Sequence, residues 1–149
     1  MISNQLANDN LKQTLEKGEI SLQGQFLPGS NYTFLVTVEY EDLKVPAVYK
    51  PMRGEQPLWD FPPASLAGRE VAAYIVSEAL GLGLVPPTVL REGPFGPGSL
   101  QLHIDYNPNY HYFNFRAEDV SRLRPVALFD LLINNADRKG SHVFFHKRS

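Results

Sequence analysis

The spacing of apolar positions divides the chain into short elements. Residues 4–17 carry Leu6, Leu11 and Leu15 as a sparse stripe in a polar background, which predicts a helix, and Gly18 stands where its C′ residue belongs. Residues 20–27 alternate through Ile20, Leu22, Gly24 and Phe26, the period of a strand. Pro28-Gly29-Ser30-Asn31 is a turn by composition. Residues 32–40 and 45–50, rich in β-branched and aromatic side chains, predict two more strands joined by a turn at 41–44. Short connections make these three an antiparallel meander.

Residues 51–63 hold Pro, Gly and Trp59 without a period and read as an ordered loop. Ser65 is placed to cap a helix over 66–80 whose inner face is Ala67, Val71, Tyr74 and Ile75. Gly81, Gly83 and Pro86-Pro87 end it. Residues 88–91 and 99–104 predict two further strands around a Gly/Pro turn, and 105–115 is aromatic and irregular. Helical spacing resumes at Glu118, and Pro125 either kinks that helix or restarts it at a first-turn position. Val126, Phe129, Leu132 and Ile133 then form an apolar face. A polar loop, 134–140, leads to a last strand over 142–147. The order implies an α+β fold: a five-stranded antiparallel sheet with one helix against it, followed by the start of a helical unit.

Composition narrows the function classes. At 149 residues, 43% hydrophobic and 20% charged, the chain is globular and sized for one domain. The net charge of −2 argues against a bulk electrostatic nucleic-acid binder. With no cysteine, disulfides, thiolate zinc sites and thiol nucleophiles are excluded. The N-terminal residues lack an apolar signal core, and the run 126–133 is interrupted by Asp130 and too short for a span. The expectation is a cytoplasmic protein with no membrane partner.

Five places carry candidate chemistry. Lys50 ends the third strand and Glu70 lies early in the next helix, so the two can meet across a cleft and aim an ammonium at a phosphate. Otherwise Lys50 is a solvated strand-end lysine and Glu70 a carboxylate favoured by the helix dipole; Glu78 is a rival partner. The turn containing Ser30 and Asn31 can point N–H groups at phosphate oxygens, or be an ordinary hairpin turn. In the polar loop, Asp137 can orient a hydroxyl and accept its proton while Arg138 or Lys139 neutralises phosphate charge. His142 is a candidate metal ligand or phosphate contact. The bland alternative is a polar turn after a helix. The aromatics from Tyr106 to Phe115 either stack a base or sugar or pack the edge of a core. Trp59-Asp60-Phe61 reads as a lid or as a loop anchor.

Taken in order, these motifs resemble the protein-kinase-like superfold. The strings Gly29-Ser30-Asn31-Tyr32, Tyr49-Lys50-Pro51, Gly54-Glu55-Gln56-Pro57-Leu58-Trp59-Asp60-Phe61-Pro62, Arg69-Glu70-Val71-Ala72-Ala73-Tyr74, Val85-Pro86-Pro87-Thr88-Val89 and Asn134-Asn135-Ala136-Asp137-Arg138-Lys139 are similar to an actinobacterial-type family related to phosphatidylinositol 3- and 4-kinases. The resemblance covers the chain from Gly18 onward; after the N-terminal helix, 1–18, it implies a kinase-like N-lobe over 19–105 and a hinge with a partial C-lobe over 106–149. It implies ATP and Mg2+ as cofactors. Ser30 and Asn31 would lie over the phosphates, Lys50 would contact them with Glu70 as partner, and the segment from Gln101 through His103 to Tyr106 would flank adenine. Asp137 would be the catalytic aspartate, Arg138 a phosphate contact, and His142 would stand where related kinases hold magnesium through Asn.

Such kinases carry a second metal-binding Asp after the catalytic loop, whereas here no acidic residue follows Asp137. The expectation is therefore a shortened copy of an ATP-dependent phosphotransferase with an unknown protein or small-molecule acceptor. The alternative is a non-catalytic nucleotide-binding or protein-interaction module. Apolar surface uncovered around Phe129, Leu132 and Phe144 would then favour self-association.

Overall fold

The computed structural model describes residues 2–26, 32–55, 65–136, 138–140 and 143–146. Helix α1 (Ile2–Lys17) leads into strands β1 (Glu19–Phe26), β2 (Phe34–Tyr40) and β3 (Leu43–Pro51). A 3-10 turn (Met52–Gly54) follows, then α2 (Leu66–Ala79), β4 (Thr88–Gly93) and β5 (Gly96–Leu102). A second 3-10 turn (Tyr112–Asn114), α3 (Ala117–Ser121) and α4 (Arg124–Leu132) complete the described elements. The fold is α+β. Its sheet is five-stranded and wholly antiparallel, in the order β1-β2-β3-β5-β4, so β5 lies between β3 and β4.

Strand alternation divides the sheet into two faces. On the back face Val36, Val38, Val45, Ala47, Tyr49, Val89 and Leu100 are buried around Leu15 of α1. Leu15 is the only one of the three expected helix leucines to be fully buried; Leu11 packs partly and Leu6 is exposed. Gly18 does not end α1 through a left-handed backbone. A Cβ there would sit 2.5 Å from both the Thr14 carbonyl and Val38 Cγ1, so glycine is what lets the chain pass close under β2. Arg91 of β4 reaches over and donates to the carbonyls of Leu15 and Gly18 at 2.9 and 2.7 Å, closing the helix C-terminus.

Lys50 and Ser99, neighbours in the β3–β5 register, point to the opposite, front face, where Glu70 of α2 meets them. The α2 stripe differs from the expected one. Ala67, Tyr74 and Ser77 are buried, whereas Ile75 is 56% exposed. One residue turns a helix by about 100°, which carries Ile75 away from the face that Tyr74 occupies. Ser77 earns its buried position by accepting from the amides of Leu84 and Val85, pinning the segment that returns to β4.

The cap of α2 is also different. The Ser65 side chain makes no cap hydrogen bond; the Glu55 carboxylate accepts from the amides of Leu66 and Ala67 instead, at 3.3 and 2.8 Å. The β4–β5 hairpin is longer than its Gly/Pro composition suggested, pairing as far as Gly93 and Gly96. Tyr49 secures its tip, donating to the Gly96 carbonyl and accepting from the Phe95 amide.

Pro125 restarts a helix rather than kinking one: α3 stops at Ser121, and Pro125 occupies the first turn of α4. Phe129 is buried, but Leu132 is exposed beside Leu128 and Leu131, the last at 80%. Of the three residues expected to form uncovered apolar surface, only Leu132 is exposed; Phe129 is buried and Phe144 half-buried. Within the expected last strand, residues 143–146 form only an isolated bridge, Tyr106 with His146. Aromatic packing takes the place of the ladder. Tyr106 stacks on Phe144 at 4.0 Å, Phe115 packs on Phe145 at 5.0 Å, and the Arg122 guanidinium lies 4.4 Å from the Phe145 ring centroid. Tyr106 thus packs on Phe144, and Tyr110 and Phe115 pack on each other and on Phe145. Among the described residues no helix is long and apolar enough to cross a membrane.

Candidate functional site

Lys50 reaches the front face because Tyr49, one residue earlier, is locked into the back face; alternation dictates the rest. Its Nζ donates to Glu70 Oε1 at 2.7 Å. Glu70 is one turn into α2, and its other oxygen, Oε2, accepts from the Ser99 hydroxyl at 2.8 Å. The pair is half-open: the Lys50 side chain is 44% exposed. A cation in this position is held by a carboxylate yet remains reachable by an anion from solvent. Glu78, the rival partner, is exposed near the far end of α2.

Two structural devices fix this geometry. Glu55, just after the 3-10 turn that follows β3, holds the N-terminus of α2. Gly98 lets β5 approach β3 at the level of Lys50: a Cβ there would lie 2.4 Å from the Lys50 carbonyl and 2.7 Å from Pro51 Cα.

The remaining expected site residues are placed variously. Gln101 lies on the same face of β5 as Ser99, and its side-chain amide donates to Thr88 Oγ1 at 2.9 Å, a cross-strand bond within the sheet. His103 follows β5; its backbone amide donates to the Pro46 carbonyl, and its ring meets Tyr106 edge-on. Arg138 is bound by Asp130 of α4: Nε donates to Oδ2 at 2.8 Å and Nη2 to Oδ1. Its guanidinium is thus engaged by a carboxylate from its own segment. Ser30, Asn31, Asp137 and His142, with the turn at 28–31 and Trp59-Asp60-Phe61, lie outside the described residues.

Asp130 organises the segment in which Arg138 stands. It also accepts from the Asn135 side chain at 3.1 Å, and its own carbonyl accepts from the Asn135 amide. The Arg138 hydrogen bond holds the Asp130 carboxyl below the usual carboxylate range; partial burial opposes this, and Asn135 adds to it. The same bond raises the guanidinium of Arg138 further.

Sequence reasoning missed Ser99, Glu55 and Asp130 as positioning groups. An acid interrupting the apolar run 126–133 flags Asp130, whereas Ser99, in the strand Gly96-Pro97-Gly98-Ser99-Leu100-Gln101-Leu102, carries no such signal. Glu55 carries no local signal, since it precedes the helix it caps by eleven residues. Among the described residues no three His, Asp or Glu side chains gather as a metal site.

No protein-family model and no solved structure matches the chain. Protein Rv2133c of Mycobacterium tuberculosis is 38% identical over 170 residues, covering 91% of this chain and 61% of that protein. Phosphatidylinositol 4-kinase gamma 4 of rice (Oryza sativa subsp. japonica) is 33% identical over 90 residues, covering 50% of this chain and 16% of the kinase. The chain thus spans less than two thirds of either relative. It is a homologue of the mycobacterial protein and has a partial likeness, over half its own length, to a protein named as a phosphatidylinositol kinase.

Proposed function

We propose that this chain is a kinase-like nucleotide-binding domain in which Lys50, aimed by Glu70, contacts the phosphates of ATP bound with Mg2+. The reaction it serves is phosphoryl transfer to a protein or small-molecule acceptor. The observation that carries this reading is the 2.7 Å pair of a strand-end lysine and a helix glutamate on the front face of an antiparallel sheet. The partial likeness to a phosphatidylinositol kinase supports it.

The donor chemistry fits an anionic ligand. An ammonium has three N–H donors, one of which goes to Glu70 here, and the side chain stays open to solvent. ATP would supply the transferable phosphoryl group, and Mg2+ would neutralise its charge. Lys50 would hold phosphate oxygens, Glu70 would keep the ammonium oriented, and Asp137 would orient the acceptor hydroxyl and take its proton.

Calorimetric titration of the wild-type chain and Lys50→Met with ATP and magnesium tests this. Wild type should bind, and the variant should bind at least about tenfold more weakly, equivalent to about 1.4 kcal/mol. A wild type that takes up no ATP, or a variant that binds equally well, ends the assignment.

A further inference from the structure

We propose that Ser99 is a positioning residue of this site, locking one oxygen of Glu70 so that the other is presented to Lys50. The inference rests on the Lys50–Glu70 site proposed above and adds a third member to it. It starts from the sheet order. Because β5 is inserted beside β3, Ser99 is the register partner of Lys50, and both side chains emerge on the same face. Ser99 is 1% exposed, so its hydroxyl proton needs a partner inside the protein, and it finds Glu70 Oε2 at 2.8 Å.

A carboxylate bound through one oxygen can still turn about its terminal torsion, whose energy profile is broad. Glu70 is bound through both, by Ser99 on one side and Lys50 on the other, so the plane of the carboxylate is set. Glu55 fixes the end of the helix, and Ser99 fixes the side chain that the helix projects. Gly98 supplies the close strand approach that brings the hydroxyl within reach. The long, flexible stem of Lys50 then has one anchored acceptor to settle against. Ser99 acts through Glu70 and needs no contact with the nucleotide.

The test is nuclear magnetic resonance of the lysine ammonium groups in the 15N-labelled chain, with Lys50→Met assigning the Lys50 signal. In wild type the Lys50 ammonium should give a signal slowed in exchange with water. In Ser99→Ala that exchange should quicken by at least about threefold, as expected when a hydrogen bond to a charged group is lost. Ser99→Cys, similar in volume and a weak donor, should shift it the same way without opening a cavity. ATP with magnesium should bind Ser99→Ala about three- to tenfold more weakly than wild type.

A Lys50 signal unchanged in folded Ser99→Ala and Ser99→Cys overturns the proposal whatever ATP does. A wild type that ignores ATP while the variants still release Lys50 upholds the positioning role and removes the nucleotide reading alone.

Discussion

Replacing Asp130 with Asn tests whether the segment after α4 is held by one carboxylate. The substitution keeps the shape and removes the charge that receives Arg138 through two hydrogen bonds. Two limits bracket the cost. Breaking a fully buried pair by removing one partner costs about 3–5 kcal/mol. A fully exposed pair contributes about 0–1 kcal/mol, because water screens it. Here the Asp130 side chain is 13% exposed and Arg138 is 38% exposed, so the loss should fall between, at about 2 kcal/mol. For a chain of this length that lowers Tm by about 4–8 °C.

The pH dependence has a definite sign. The folded carboxyl of Asp130 is held down, chiefly by Arg138, so its stabilisation is complete above the ordinary carboxylate value, about 4. It is lost as the pH falls through the lowered folded value. Differential scanning calorimetry of wild type and Asp130→Asn at pH 7 and at pH 3 should therefore show a large gap at pH 7 that narrows in acid. A variant melting within 1 °C of wild type at pH 7, or a gap that widens in acid, would refute the reasoning.

Two further outcomes follow from the anchors of α2 and β5. Glu55→Ala should leave the amides of Leu66 and Ala67 without their carboxylate, cost about 1–2 kcal/mol, and speed hydrogen exchange at those two amides; unchanged exchange there would show that Glu55 is not the cap. Gly98→Ala should cost about 1–3 kcal/mol, because the new Cβ meets the Lys50 and Pro51 backbone rather than a flexible side chain, and an unchanged thermal melt would show that β3 and β5 separate freely.

Much of the architecture is legible in the chain. Strands β2 and β3 stand out because their back faces are covered by one core, and burial on one side imposes a two-residue period; β1 adds only Ile20 to it, and Leu22 is exposed. Lys50 could be placed on the front face for the same reason, since Tyr49 and Pro51 flank it inside. The less legible parts have no period to read. Helical spacing assigns Ile75 and Leu132 to apolar faces, yet a helix buries only the sector that meets a neighbour. The strand expected near the end failed because no partner edge is paired along it, and residues 143–146 pack through Phe144 and Phe145 instead. Ser65 offered a local cap, but a carboxylate ten residues upstream of it, Glu55, replaced it.

By itself the sequence determined where most of the elements lie, which faces of the central strands are apolar, and that a lysine and a glutamate stand near the facing ends of a strand and a helix. Only the tertiary structure decided their company. Strand order placed β5 against β3, so Ser99, twenty-nine residues from Glu70, came to share its carboxylate with Lys50. A polar side chain records no preference for a distant neighbour; that choice belongs to sheet order and register, where a slip of one residue would turn Ser99 to the opposite face.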